Sequence, residues 1–322
     1  MISKKGWQWF FRLTVAVISL LILTFHVGKL QDLGRAFADM RYSFVVAAVC
    51  LMILNIYVQY RKWLYILRLN YPSVSRLETL GSILAGFTMG LITPGRIGEL
   101  GRGLYLRHVD KWQVTGLTLI DKISNNLVIF FAGTLAFYYL FKYPFNLSIY
   151  ILAPFTVIII LVWYILIRLA ADPQMIYHKL LALKVRFKRL QQFASFMDAL
   201  KNLHSHHIGI IFGYSILFYG LILTQFLLLV EAFAPQPILP TLAALIAAMF
   251  SQTLLPISFG DLGIREGAAV YFLHQVGVVK VFAFDAALML FAINILLPSI
   301  IGIFLIPRLS LFNNGSAESN HL

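Results

Sequence analysis

Two short stretches gather most of the ionisable side chains that an otherwise apolar chain places away from its loops. The first, GLITPGRIGELGRG (residues 90–103), carries Arg96, Glu99 and Arg102 at intervals of three. The second, SQTLLPISFGDLGIREGAAV (251–270), carries Asp261, Arg265 and Glu266. Residues three or four apart are neighbours on a helix, so Glu99 can bridge both arginines and Asp261 can reach Arg265. A guanidinium grips a phosphate or carboxylate through two parallel hydrogen bonds. Arg96, Arg102 and Arg265 therefore suit a phosphate. Glu99, Asp261 and Glu266, with Asp121 and Asp285 from neighbouring apolar runs, suit charge balance or a cationic group. The same residues could instead only neutralise one another. The runs that hold the two aspartates add Lys122, Asn125, Asn126 and Asn294.

Other chemistry finds little support. No P-loop, GxSxG or HExxH pattern is present, so no catalytic residue and no cofactor is expected. His204, His206 and His207 cluster at a loop–helix junction without a nearby carboxylate group, and no metal site is expected there. Cys50 is the single cysteine, which excludes an internal disulfide and a thiolate cluster.

Each charged stretch is broken. Thr93 and Pro94 read as a helix start, with Pro94 at the first helical position and Thr93 capping free N–H groups. Pro256 breaks the second stretch, and Ser258 with Asp261 resembles a capping box. Gly95, Gly98 and Gly101, and likewise Gly260, Gly263 and Gly267, thin one face for close approach. Inserting an Arg, Lys or Asp at a membrane helix centre costs roughly 2.5–3.5 kcal/mol, so six unpaired groups would cost on the order of 10 kcal/mol even at half that value. They must pair or face a wet cavity.

The elements that hold these stretches are membrane helices. The chain has 322 residues, of which 60% are hydrophobic and 12% charged. Its apolar runs are continuous, which fits helices of about 20 residues and not alternating barrel strands. Six full spans are expected near 10–28, 42–60, 114–141, 147–168, 208–232 and 280–306. The basic start before the first run resembles a signal peptide, but no close small-residue cleavage site follows, and a retained span is expected. Segments 78–107 and 241–276 each hold two short helices around a Pro/Gly break, and either re-enter the membrane or cross it as kinked helices.

The formal charge of +13 follows the positive-inside rule and gives no reason to invoke nucleic acid. Lys4, Lys5 and Arg12, then Arg61, Lys62, Arg68 and Arg76, then Arg107 and Lys111, mark the cytoplasmic side. The 169–207 loop joins them; it is basic and amphipathic, and lies on the inner leaflet or forms a cytoplasmic helical hairpin. The tail 307–322 is polar and expected to be disordered, and both termini are cytoplasmic. The connection FAPQPILP (233–240) has no basic residue and falls outside.

Both halves thus read span, span, hairpin, span: residues 1–141 and 147–306. Pro94 and Pro256 are 162 apart, Asp121 and Asp285 164 apart. Three spans per half is an odd number, so the fold class is an all-α polytopic membrane protein with an inverted-topology repeat. Interrupted segments at matching positions point to a transporter's binding site.

Together, GLITPGRIGELGRGLYLR, the Asp121-Lys122 pair and LPISFGDLGIREGAAVYFL resemble the paired signatures of the lysylphosphatidylglycerol synthase/flippase transmembrane family. The resemblance covers nearly the whole chain. Pro94, Arg96, Gly98, Glu99 and Arg102 match the first signature, Asp121 the acidic position after it, and Pro256, Gly263, Arg265 and Glu266 the second. Lys122 stands where an arginine is frequent. The resemblance implies lipid handling in a bacterial or archaeal plasma membrane, with an anionic or aminoacylated phospholipid as partner. The family's soluble aminoacyl-transfer domain is not expected in these 322 residues, nor is enzyme activity. The expected function is a lipid flippase or transporter. A gradient-driven solute transporter, or a membrane subunit or enzyme acting on a lipid-linked substrate, are the alternatives. The glycine-rich faces would allow a homodimer.

Overall fold

The computed structural model of the protein describes residues 40–142, 196–255 and 261–305, with isolated helical positions at 157, 161, 163, 164 and 168. The expected span 10–28, nearly all of 147–168, residues 169–195 of the basic loop, Pro256, Ser258, Gly260 and the 307–322 tail lie outside the described residues. Among the described residues the regular elements are all helical.

The first half opens with α1 (Tyr42–Arg68). It runs eight residues past its expected end at 60. Arg61 and Lys62 are good helix formers and do not stop it; Pro72 does, by biasing the preceding residue out of the helical region. After α2 (Arg76–Leu91) comes a 3-10 helix, Ile97–Tyr105, and then α3 (Lys111–Lys142). Asp110 caps α3: its Oδ1 accepts the N–H groups of Trp112 at 2.8 Å and Gln113 at 3.0 Å. The second half repeats the order with α4 (Ser205–Phe233), α5 (Ile238–Leu254), α6 (Ile264–Gln275) and a last helix made of α7 (Lys280–Phe291), a π turn (Ala292–Leu296) and α8 (Leu297–Ile303). The π turn has a local cause. Pro298 has no N–H to give to Asn294, four residues back, and its ring crowds that carbonyl; widening the turn before it relieves both. Four of these helices are long and apolar enough to cross a membrane: Tyr42–Arg68, Lys111–Leu140, Ser205–Phe233 and Lys280–Ile303.

Helices α1 and α4 lie antiparallel. The N–H of Arg41, just before α1, donates to the carbonyl of Ala232 near the end of α4 at 2.8 Å, and the Arg41 side chain pairs with Glu231. Midway, the Gln225 amide donates to the Ala48 carbonyl at 2.8 Å. At the other end Tyr65 Oη meets His207 Nδ1 at 2.6 Å.

The halves then exchange contacts reciprocally. Gly302 of α8 lies against Leu84 and Thr88 of α2, and the Thr88 hydroxyl donates to the Ser299 carbonyl at 2.7 Å. Gly133 of α3 lies against Phe250 of α5. The long helix that ends each half therefore packs on the first arm of the other half's hairpin. Among the described residues a small apolar cluster forms around Ala136, Leu140, Ala243 and Ala247, and two large ones form beside it. One gathers Trp63, Ile83, Leu106, Leu117 and Ile211. The other gathers Phe226, Leu245, Ala269, Ala286 and Leu290.

The end of the basic loop does not stand apart from the protein. Met197, Ala199 and Leu203 are buried, and the short 3-10 turn Asp198–Leu200 sits on α3, where Gly116 gives room for Phe196 and Ala199. Asn202 donates to the Leu69 carbonyl at 2.9 Å. The helical spacing there serves packing on the ends of α1 and α3.

Candidate functional site

The first hairpin is α2 and the 3-10 helix, antiparallel and in close contact. Gly81, Gly86 and Gly90 of α2 face Tyr105, Arg102 and Glu99 in turn; a Cβ on Gly86 would sit 2.7 Å from Arg102 Cγ, and one on Gly90 2.7 Å from Glu99 Cγ. The three-residue period of the sequence fits the second arm, because a 3-10 helix eclipses i and i+3. Glu99 and Arg102 accordingly stack on one side, and Gly98 and Gly101 meet Met89.

The start of this arm differs from the expected cap. Gly95 and Arg96 both adopt left-handed backbone, at φ 57° and 55°, so the turn is made after Pro94 and the helix begins at Ile97. Pro94 is a turn residue. Thr93 still meets a free N–H at the helix start, and also ties the arms together: its hydroxyl donates to the Met89 carbonyl at 2.8 Å and accepts the Gly98 N–H at 2.7 Å. Positive φ at a non-glycine residue is strained. Here it brings Arg96 to the cavity described below.

The charges form one chain. Glu99 pairs with Arg96, with Arg102 at 3.1 Å and with Lys122 at 2.8 Å. Arg102 passes on to Asp121 at 2.9 Å, and Asp121 to Lys62 at 2.8 Å. The Lys62 ammonium also donates to Ser124 Oγ at 2.9 Å, Asn125 Oδ1 at 2.8 Å and Ser215 Oγ at 2.8 Å. Its side chain is only 2% exposed. Lys62 was expected to mark the cytoplasmic end of α1; because that helix continues to Arg68, Lys62 faces the bundle while Arg61 stays outside, bonded to Tyr57 at 2.9 Å. No signal within the charged stretches could have revealed it.

In the second half, Glu266 is fully buried and its carboxylate accepts the Gly263 N–H at 2.6 Å, capping α6 from a glycine at φ 83°. Asp261, also left-handed at φ 62°, accepts a bond from Gln252 at 3.1 Å. Arg265 lies 4.0 Å from Glu266. Asp285 is buried in α7, and among the described residues neither of its oxygens has a hydrogen-bond partner. All three predicted arginines back onto aromatic rings: Arg96 on Phe87 at 5.7 Å, Arg102 on Trp63 at 5.5 Å and Arg265 on Phe291 at 5.1 Å. A flat guanidinium stacks in this way and an ammonium does not replace it.

The hairpins meet at a cavity with two adjoining lobes. The larger, of about 220 Å³, is walled by Arg96, Glu99, Arg102, Asp121, Lys122 and Asp261, with Asn125 and Asn126 beside them. The smaller, of about 130 Å³, is mainly apolar, with Phe87, Phe226, Met249 and Leu290, and takes in Arg265 and Asn294. Arg96, Gln59, Tyr219 and Gln252 border both. Asp285, Glu266 and Gly263 stand off the wall. Arg96 and Arg265, one from each hairpin, both line the smaller lobe.

The three histidines stack together, with His206 and His207 3.7 Å apart between ring centres. Among the described residues no group of three or more His, Cys, Asp or Glu side chains could hold a metal ion.

Neither a curated protein nor a solved structure matches the chain. A family match does exist, to the lysylphosphatidylglycerol synthase TM region, and it runs over residues 9–302, taking in both hairpins and every charged residue of the cavity wall. Long apolar helices and that match make this a membrane protein, and the chain belongs to the lysylphosphatidylglycerol synthase transmembrane-region family.

Proposed function

We propose that the protein moves a phospholipid or related polar lipid between the leaflets of a bacterial or archaeal plasma membrane, by binding and without a covalent step. The observation that carries this reading is the cavity: a hairpin from each half brings an arginine to one space that is charged in one lobe and apolar in the other. A polar head with an apolar stem matches both lobes. Arg96 and Arg265 both line the smaller lobe, and an anion bound there is attracted by both. In this reading Arg96, Arg102 and Arg265 hold the phosphate, while Glu99, Asp121, Asp261 and Glu266 balance charge when no lipid is bound. Acyl chains remain in the bilayer.

The same reading makes the halves an inverted repeat with two re-entrant hairpins and both termini cytoplasmic. Antiparallel α1 and α4 and the reciprocal helix–hairpin packing support the inversion. Such repeats bind substrate where interrupted helices meet.

The test is lipid translocation in proteoliposomes with Arg96→Ala and Arg265→Ala proteins that elute as the wild type does. A hydrogen bond to a charged group contributes about 1.5–3 kcal/mol, so each variant should be slowed by about 10- to 100-fold. Transport at the wild-type rate by both would sink the reading.

A further inference from the structure

Asp285 takes no part in the cavity wall, yet the fold buries it completely in α7, about one and a half turns from the start of that helix at Lys280. Among the described residues its carboxyl has no hydrogen bond and no ion pair. Its surroundings are apolar. Phe282 and Met289, three residues before it and four after it on one face of α7, pack on the core of Phe226, Leu229, Ala269 and Leu273. Phe282 also stacks on Phe233 of α4, with ring centres 5.5 Å apart. Helices α4 and α6 pack against α7, and their ionisable groups are engaged elsewhere. On α4, Glu231 accepts the Gln236 N–H at 2.8 Å and pairs with Arg41, and Tyr219 borders the cavity. On α6, Arg265 lines the cavity, Glu266 caps Gly263, His274 meets the Val278 carbonyl at 3.3 Å and Tyr271 is exposed. Lys280 of α7 itself is exposed too.

A carboxylate in that place would be an unpaired charge away from water, and buried carboxyls avoid this by taking up a proton. A metal cation would need several oxygen ligands, which the apolar side chains around Asp285 do not offer; a proton needs only the carboxyl itself. The same helix reaches the cavity. It runs into the π turn Ala292–Leu296, and its Leu290, with Asn294 and Ile295 of the turn, lines the smaller lobe. Helices bend at π turns, and such turns recur at functional sites. At this one the Asn294 amide nitrogen has no hydrogen-bond partner among the described residues.

We propose that Asp285 is a proton-binding site and that its proton sets the shape of the smaller lobe. As the neutral acid, Asp285 lets α7 lie against α4 and α6 as it does here. On deprotonation the acid O–H bond breaks, water takes the proton and the electron pair stays on the carboxylate. The charge is not stable in the core, so α7 swings at the π turn until the carboxylate meets water, and Leu290 moves with it. Passage of lipid through the cavity then responds to pH. That coupling rests on the lipid reading above; the proton site does not.

Two measurements on the full chain test the two claims. The first is infrared difference spectroscopy in detergent across a pH titration. The wild type should show the C=O band of a buried neutral carboxylic acid, lost as pH rises. Asp285→Asn, which has the size of the neutral acid, should lack that band, and Asp285→Glu should move it. No such band in the wild type, or one that neither variant changes, overturns the proton site whatever the lipid does. The second is translocation of acyl-labelled lipids with phosphoglycerol and phosphoethanolamine heads in proteoliposomes, with the pH set alike on both faces. The rate at about pH 6 is divided by that at about pH 9 within each protein, so the folded fraction cancels. The wild-type ratio should differ from one by at least about tenfold, because each pH unit past a titration changes the minor form tenfold. Asp285→Asn should bring the ratio to within about twofold of one. A wild-type ratio that Asp285→Asn reproduces overturns the coupling and leaves the lipid reading standing. Wild-type protein that moves neither lipid at any pH counts against the lipid reading, and the infrared band still decides the proton site.

Discussion

Lys62→Met tests how much of this site rests on a residue that touches no open space. Methionine keeps the length and apolar volume of the stem and removes the ammonium. The structure then loses an ion pair to Asp121 at 2.8 Å and bonds to Ser124, Asn125 and Ser215, all at 2.8–2.9 Å. Asp121 keeps Arg102 at 2.9 Å, so it is weakened and not stranded. Removing one partner of a buried pair typically costs about 3–5 kcal/mol. The lower end applies here, because Arg102 remains and the hydroxyl groups of Ser124 and Ser215 can bond back to their own helices, as they already do to the Asp121 and Ile211 carbonyls. For a chain longer than 250 residues each kcal/mol moves the midpoint by roughly 2 °C, which gives a fall of about 6 °C. The assay is thermal unfolding in detergent followed by tryptophan fluorescence. Arg61→Met is the internal control: one residue earlier, outside the bundle, it should leave the midpoint where it is. Asp121→Asn should cost less when added to Lys62→Met than it does alone, because one of the two ion pairs it breaks is then already gone. A Lys62→Met midpoint indistinguishable from the Arg61→Met one would refute the claim that Lys62 anchors the charge chain.

Two more predictions concern packing. Gly302→Ala puts a Cβ onto the backbone carbonyl of Leu84, which cannot step aside, and should destabilise by about 1–3 kcal/mol, whereas Gly213→Ala meets nothing within 4 Å and should stabilise its helix by roughly 0.5–1 kcal/mol. Opposite signs for two Gly→Ala changes on the same melting assay check both. Gln225→Leu removes the amide that bonds the Ala48 carbonyl at 2.8 Å and faces Asn55 at 3.4 Å; leaving Asn55 less satisfied in the α1–α4 interface should cost about 1–3 kcal/mol, read as a lower midpoint.

Much of this arrangement is legible in the chain because bilayers leave few choices for backbone. Long apolar runs become helices, and Pro94 and the glycines at 95, 98 and 101 announce a turn that no simple span would need. The three-residue period even matched the helix type of the second arm. Details failed where tertiary contacts decide. Thr93 accepts a free N–H as expected, yet from three residues before the cap position, because two left-handed residues delay the helix start. Lys62 looked like its neighbour Arg61. Nothing local separates them; only the 100° between successive residues sends one into the bundle and the other out. The aromatic rings beneath the arginines lie at three unrelated distances along the chain, so spacing could not expose them either.

Under the proposed repeat the two halves carry unequal charge. Asp121 and Asp285 are separated by 164 residues, and the same step takes Lys62 to Phe226 and Arg102 to Glu266. In the first half the aspartate has two cations on it. At the corresponding places the second half has a phenyl ring and a carboxylate, and among the described residues neither Asp285 oxygen finds a hydrogen bond. The helix packing is alike in the two halves while the charges differ: Gly133 meets α5 as Gly302 meets α2. On the cavity wall the first half places Arg96, Arg102 and Lys122 against Glu99 and Asp121, and the second half places Arg265 against Asp261. Among the described residues the first half thus supplies five of the seven charged side chains on the wall. Both hairpins line the cavity, but one of them, with the helix that follows it, carries most of the charge that faces it.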